Sequence, residues 1–267
     1  MYVVSNYEKI IQMMNHLSAM RIKSIERCFD IIELLGQHPD GMRLSDIAAN
    51  LGLNSSTVHH ILTTLIHRKY ISQFSDTKKY ALGYAFLEIS QQILDNTDLR
   101  KIARPYLEDL HKKSGEAVHL SVLQDDKVVY LDVIRSPKGL SLATHIGFST
   151  EPHAAAGGKV LLAGLGDDAL LKICGTSPFK LYTPNTCKNL TVLKQELARI
   201  RKRGYAIDDE EYYEGVRCVA APVVVRGKTV ASLSITGAVF TITLERIDAE
   251  LARMAVEAAD KISAAMQ

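Results

Sequence analysis

Between Lys23 and Leu82 the apolar residues recur first with a helical period, then in a short helical run, then helically again, and last in two β-prone pieces. Glycines and turn residues mark the changeovers. Ile25, Cys28, Phe29, Ile31, Ile32 and Leu35 form the stripe of a helix that Ser24 is placed to cap. Gly36, Pro39, Asp40 and Gly41 make a turn, after which Ser45 opens a short helix over residues 46–50. Leu51-Gly52-Leu53 puts a glycine where a left-handed backbone is wanted. Asn54 or Ser55 then caps a third helix with Val58, Ile61, Leu62, Leu65 and Ile66 on one face. Residues 70–74 and 79–82, joined by Ser75-Asp76-Thr77-Lys78, read as a hairpin.

Helix, short helix, glycine turn, longer helix and hairpin is the order of a winged helix-turn-helix. A helix that enters the major groove needs small polar residues on its first turn. Asn54, Ser55, Ser56, Thr57, His59 and His60 supply amide, hydroxyl and imidazole groups there. Lys78 and Lys79 at the hairpin tip are placed to meet the phosphate backbone. Arg21 and Lys23 before the first helix, and Arg43 before the second, add cations at the same end of the chain. The expected partner is a double-stranded DNA operator. Three helices of this pattern also serve protein contacts, and polar first turns arise from capping alone. The formal net charge of +2 is too small to decide between these readings, so the case for DNA rests on local pattern.

Beyond the hairpin the organisation changes. Residues 84–113 read as a helical linker, broken near Asn96-Thr97-Asp98 and carrying Pro105 in its second piece. Strands are expected over residues 117–123, 128–134 and 140–146, a helix from the glycine-rich run HAAAGGKVLLAGL, and a helix over 191–203. Strands over 216–225 and 230–235 and a terminal helix over 244–265 complete an α+β domain on one antiparallel sheet. The expected boundaries are an N-terminal extension 1–20, a winged helix-turn-helix 21–83, the linker 84–113, and an effector domain 114–267. In the extension, Ile10, Met13, Met14 and Leu17 recur at helical spacing, which allows a short amphipathic helix or a segment without a role.

The run HAAAGGKVLLA suggests a ligand. Ala156 and Gly157 leave first-turn amides uncovered, and the helix dipole adds positive potential, a combination suited to a small carboxylate. The same small residues would also permit close packing of helix on sheet. Four cysteines without a CxxC pair or cysteine–histidine ligand spacing argue against a disulfide framework and a structural zinc. No apolar run reaches the ~18 residues that span a bilayer, and Met1–Ile10 lacks the basic-then-apolar pattern of a signal peptide. A cytoplasmic protein without membrane partner, metal or cofactor is expected. Cys218, next to Arg217, leaves open a cysteine-dependent enzyme, although no P-loop, GxGxxG, HExxH or GxSxG motif occurs. Asp209, Glu210 and Glu211 read as a solvated turn.

Taken in order, RIKSIERCFDIIELL, LSDIAANLGLNSSTVHHILTTL and YALG resemble the N-terminal domain of the IclR family of bacterial transcriptional regulators. HAAAGGKVLLA, RGYAIDDEEYYEGVRCVAAPV and SLSITG resemble the same family's C-terminal domain. The resemblance runs from Arg21 to the end. It implies a winged helix joined by a helical linker to a GAF-like effector domain, no enzymatic activity, and a homodimer or homotetramer. It also implies that Asp208, Val216, Cys218, Ser234 and Thr236 line the effector pocket, with Leu140 and Leu142 as an apolar wall. Asp208 would accept from a ligand hydroxyl, which favours a hydroxy or hydrated keto acid. The chain departs from the pattern at His60, where the family usually carries arginine. Imidazole is a weaker partner for guanine or phosphate than guanidinium, so no relative's operator is carried over.

Overall fold

The computed structural model describes residues 22–95, 97–136, 144–175 and 178–267. Arg21, Leu140, Leu142 and the apolar positions Ile10–Leu17 lie outside them. The chain forms two compact units, Met1–Ile93 and Leu94–Gln267.

In the first unit α1 (Lys23–Gly36), α2 (Leu44–Leu51) and α3 (Ser55–His67) precede a hairpin of β1 (Ile71–Gln73) and β2 (Tyr80–Leu82). Ile31, Leu35, Ile47, Val58, Leu62, Leu65 and Ile71 close one core. Burial trims the expected stripes. Ile25 and Phe29 on α1 and Ile66 on α3 are exposed, because this small core reaches only one narrow side of each helix. The expected serine caps are corrected as well: α1 starts a residue before Ser24, and Ser45 lies inside α2, its hydroxyl bonded to Asp46. Gly52 closes α2 with φ of 62°, a left-handed value at which a side chain would be strained. The helix α4 (Ala85–Asp95) follows the hairpin and buries none of its described residues.

The second unit is built on a six-stranded antiparallel sheet in the order β5-β4-β3-β8-β7-β6. Its strands are β3 (Ala117–Gln124), β4 (Lys127–Ile134), β5 (Ser149–Thr150), β6 (Ala206–Asp209), β7 (Val216–Val225) and β8 (Lys228–Ala238). One face packs against α5 (Asp98–Ser114) and the C-terminal helical run, in which α9 (Leu244–Arg246) widens into a π-helical turn and continues as α10 (Ala252–Ala265). The other face carries α6 (Ala156–Ala163), α7 (Asp167–Cys174) and α8 (Leu190–Arg203), with Asn189 capping α8 through Val192 N–H.

Two expectations change here. The second half of the expected linker is core: Ala103, Leu107 and Leu110 of α5 are buried among sheet and α10 residues. Arg104 of α5 also donates to the buried Asp132 carboxylate on β4 at 2.9 Å. The expected strand over 140–146 is not found in its described part. Thr144 to Ile146 are irregular, and the short strand β5 follows at Ser149–Thr150.

Strand alternation sorts the sheet's side chains. On β8, Ala231, Leu233 and Ile235 enter the core under α5 and α10, whereas Ser232, Ser234 and Thr236 turn to the α6 side. On β3, Val118 and Leu120 likewise face the core, and His119 and Ser121 face α6. The first face is therefore mostly oily, with Asp132 held by the arginines of α5, and the other carries buried polar groups beneath the start of α6.

Candidate functional site

Two surfaces hold the expected site residues. In the first unit, Asn54, Ser55 and Ser56 are exposed at the start of α3, and Thr57 is half-buried. Asn54 occupies the cap position without spending its side chain on the helix. His59 and His60 are exposed one turn on, with ring centroids 6.1 Å apart. Farther along, Thr63 and Thr64 donate their hydroxyls to the His59 and His60 carbonyls at 2.8 and 3.1 Å. The polar groups left to meet a partner are thus those of the first turn and the two imidazoles that follow it. Lys78 stands at the hairpin tip with φ of 56°, exposed, while Lys79 is half-buried. Lys23 and Arg43 are exposed at the starts of α1 and α2.

In the second unit a cavity with about 490 Å³ of empty space, part of it open to solvent, lies between the polar sheet face and α6. Ala155, Ala156 and Gly157 form one wall. The first turn of α6 has no side-chain cap, and Lys159 N–H makes its bond back to the Ala155 carbonyl. Asp208, Val216, Cys218, Ser234 and Thr236 line the opposite side. Sequence reasoning missed the rest of the lining: His119, Tyr130, Thr144, Phe148, Tyr212 and Tyr213. The period-two alternation of AVHLSVL on β3 puts His119 and Ser121 on one face, but only the pairing of β3 with β8 sets His119 beside Ser234.

The cavity's polar groups form a connected set. Thr236 Oγ1 donates to Cys218 Sγ at 3.0 Å and lies 3.3 Å from His119 Nδ1, and His119 Nε2 lies 3.1 Å from Thr144 Oγ1. A threonine hydroxyl has one proton. Spent on sulfur, it leaves Thr236 to accept from Nδ1–H, so Nε2 is the acceptor. Burial pushes the His119 imidazole down to about 4, so it is neutral at physiological pH. Asp208 is 5% exposed and accepts from Glu211 N–H at 2.7 Å. Burial pushes its carboxyl up to about 7, against the opposing pull of Lys159. Behind it Lys159, buried on α6, donates to the Ile207 carbonyl at 2.6 Å and pairs with Glu211. The expected solvated turn at 209–211 is therefore corrected: Glu211 is drawn inward by a buried lysine, and Asp209 pairs with Arg217.

Gly157 and Gly158 are where helix meets sheet and loop most closely. A Cβ on Gly157 would stand 2.8 Å from Ser232 Oγ, and one on Gly158 2.4 Å from the Pro152 carbonyl. Close packing and exposure of the first-turn amides are thus served by the same residues. The cysteine-enzyme alternative loses its physical basis. Burial pushes the Cys218 thiol up to about 12, and Arg217 is turned away to Asp209 and the Ile242 carbonyl. His153 stacks on Phe179 at 4.4 Å and bonds the Lys180 carbonyl at 2.9 Å, a packing role.

The family model of the IclR helix-turn-helix domain matches residues 24–74, and that of the bacterial transcriptional regulator IclR C-terminal domain matches residues 91–264. The chain belongs to the IclR family. Like its relatives it is a transcriptional regulator, with a DNA-binding helix-turn-helix and a C-terminal effector domain. It is 34% identical to the HTH-type transcriptional regulator XynR of Escherichia coli over 86% of this chain and 90% of that one. The crystal structure of Thermotoga maritima IclR superposes with a TM-score of 0.76 at 30% identity, covering 92% of this chain and 99% of that one. An IclR homolog of Microbacterium hydrocarbonoxydans, solved as a complex with 4-hydroxybenzoate, shares the fold (TM-score 0.77, 22% identity, 91% of this chain and 98% of that one). No helix among the described residues of this IclR regulator is long and apolar enough to cross a membrane.

Proposed function

We propose that this regulator reads a double-stranded operator with the first turn of α3 and adjusts its operator affinity to a small organic acid held in the second unit's cavity. The observation that carries the effector half is the uncapped start of α6 on one wall of a partly open, polar-floored cavity. Helix-terminal amides favour an anion. Val216 and the aromatic rings of Tyr130 and Phe148 supply an apolar surround, and Ser234 and Cys218 supply hydrogen bonds to a hydroxyl or keto oxygen, backed by the Thr236–His119 network. In this reading residues 21–83 bind DNA and 114–267 bind the effector. The protein acts in the cytoplasm as a homodimer or homotetramer, since paired half-sites need paired reading heads. For the acid to regulate, it must bind the DNA-competent and incompetent arrangements with different affinity.

A thermal-shift screen tests the effector half, because a ligand of the folded state raises the melting temperature by mass action. Hydroxy and keto acids, with 4-hydroxybenzoate as the aromatic probe, should raise it, and the corresponding amides should not. Equal shifts for acid and amide would contradict an anion site.

The DNA half separates reading from positioning. Ser56→Ala and Thr57→Ala should cost about 1–3 kcal/mol at a preferred base and relax sequence preference. Lys78→Ala should instead weaken binding to every duplex and flatten its salt dependence. Competition titrations against non-operator DNA at several salt concentrations distinguish the two. Identical behaviour of helix and wing variants would remove the assignment.

A further inference from the structure

We propose that the cavity takes up its acid together with one proton, which lands on the Asp208 carboxylate. This rests on the reading of the cavity as an organic-acid site and specifies its chemistry. Asp208 sits on β6 opposite Cys218 of β7 and faces the same cavity as Ala156 and Gly157. The cation behind it is already engaged, since Lys159 holds Glu211 and the Ile207 carbonyl. Lys159, Glu211 and ionised Asp208 together carry one net negative charge. The other groups facing the cavity are Tyr212 and Tyr213 from the loop after β6, Tyr130 on β4, Cys218 on β7 and His119 on β3. Near neutral pH Tyr130 and Tyr212 supply phenols, Cys218 a thiol and His119 a neutral imidazole, so none of these four is a cation.

A carboxylate ligand entering this space would add a second negative charge where burial makes charge costly. A proton from solvent moving onto an Asp208 oxygen removes one of them. It also converts that oxygen from an acceptor into an O–H donor to the ligand. The carboxyl is already poised for this, because burial, outweighing the pull of Lys159 and of the backbone N–H bonds it accepts, holds it at about 7 in the free protein.

The sign follows from linkage. Below about pH 7 Asp208 is protonated before the ligand arrives, and affinity is flat. Above it each acid must bring a proton, and affinity falls by up to about ten-fold per pH unit. Of the remaining groups, His119 titrates far below this window, and Cys218 and Tyr212 far above it.

Calorimetry on the full chain with pyruvate, lactate and 4-hydroxybenzoate, in two buffers of different ionisation heat, counts the protons directly. For the tightest of the three we expect uptake of about one proton at pH ~8 and a drop in affinity of about ten-fold between pH ~7.5 and ~8.5. In Asp208→Asn both should disappear, while His119→Gln should keep both. Binding without proton uptake, or uptake that survives Asp208→Asn, would overturn the proposal. Absence of binding by all three acids at every pH would overturn the organic-acid reading itself, and this inference with it.

Discussion

Replacing Lys159 by methionine should destabilise the second unit by about 3–5 kcal/mol near pH 8, the cost of leaving a buried charge without its partner. The lysine side chain is 2% exposed, and its ammonium holds Glu211, whose side chain is 15% exposed. Methionine keeps most of the volume and removes the cation, so the loss is electrostatic rather than a cavity. Burial pushes both the Glu211 and the Asp208 carboxyls up, and Lys159 opposes that shift in each. Without the lysine both rise further. A carboxyl whose folded pKa lies above its unfolded value costs stability as pH rises above the unfolded value, and costs nothing once both states are protonated. The variant should therefore lose clearly less at pH ~5 than at pH ~8. Urea unfolding at the two pH values reads this, and Lys159→Met with Glu211→Gln should recover much of the loss. A pH-independent deficit would mean that the lysine acts through packing alone.

Gly158→Ala is expected to have the second large effect. The added methyl would lie 2.4 to 2.8 Å from the carbonyl oxygen, Cα and carbonyl carbon of Pro152, which are backbone atoms with little freedom to yield. Either α6 or the Pro152–Ala155 segment must shift, at roughly 1–3 kcal/mol for the overpacking. Both carry the cavity wall, so acid affinity should fall along with stability. Gly157→Ala is the informative contrast. Its methyl meets the hydroxyls of Ser232 and Ser121 at 2.8 and 3.2 Å, which can rotate away after giving up their mutual 2.8 Å bond. Thermal unfolding and acid titration of the two variants should rank Gly158→Ala as the more damaging on both counts. The reverse order would show that close approach to the sheet serines, not to the Pro152 backbone, sets the position of α6.

The first unit was readable because local chemistry and tertiary packing agree there. The spacing of Val58, Leu62 and Leu65 sets the α3 core face, and Gly52 sits at a left-handed helix end. The cap assignments at Ser24 and Ser45 failed because each helix begins upstream of its serine, at Lys23 and Leu44. In the second unit the strands β3, β4 and β7 announce themselves by β-branched runs. The helix α7 and the short strand β6 do not, because their residues read equally well as loop between stronger signals. Ala156, Gly157, Asp208, Cys218, Ser234 and Thr236 do come together around one cavity. His119, Tyr130 and Thr144 join it only through strand pairing and chain return, which no local pattern encodes. The inward turn of Glu211 was hidden for the same reason: its partner Lys159 lies far away in sequence, in a run that reads as plain helix.

Acid binding in the cavity and operator binding by the helix-turn-helix should be coupled. The most direct measurement is fluorescence anisotropy of an operator duplex, selected by the full chain from a random pool and titrated with the protein at zero and saturating acid. Calorimetry of the acid with and without that duplex completes the cycle. Coupling is reciprocal, so the factor by which acid changes operator affinity must equal the factor by which operator changes acid affinity, expected at about 5–150-fold. Operator affinity that stays the same at saturating acid would contradict the account.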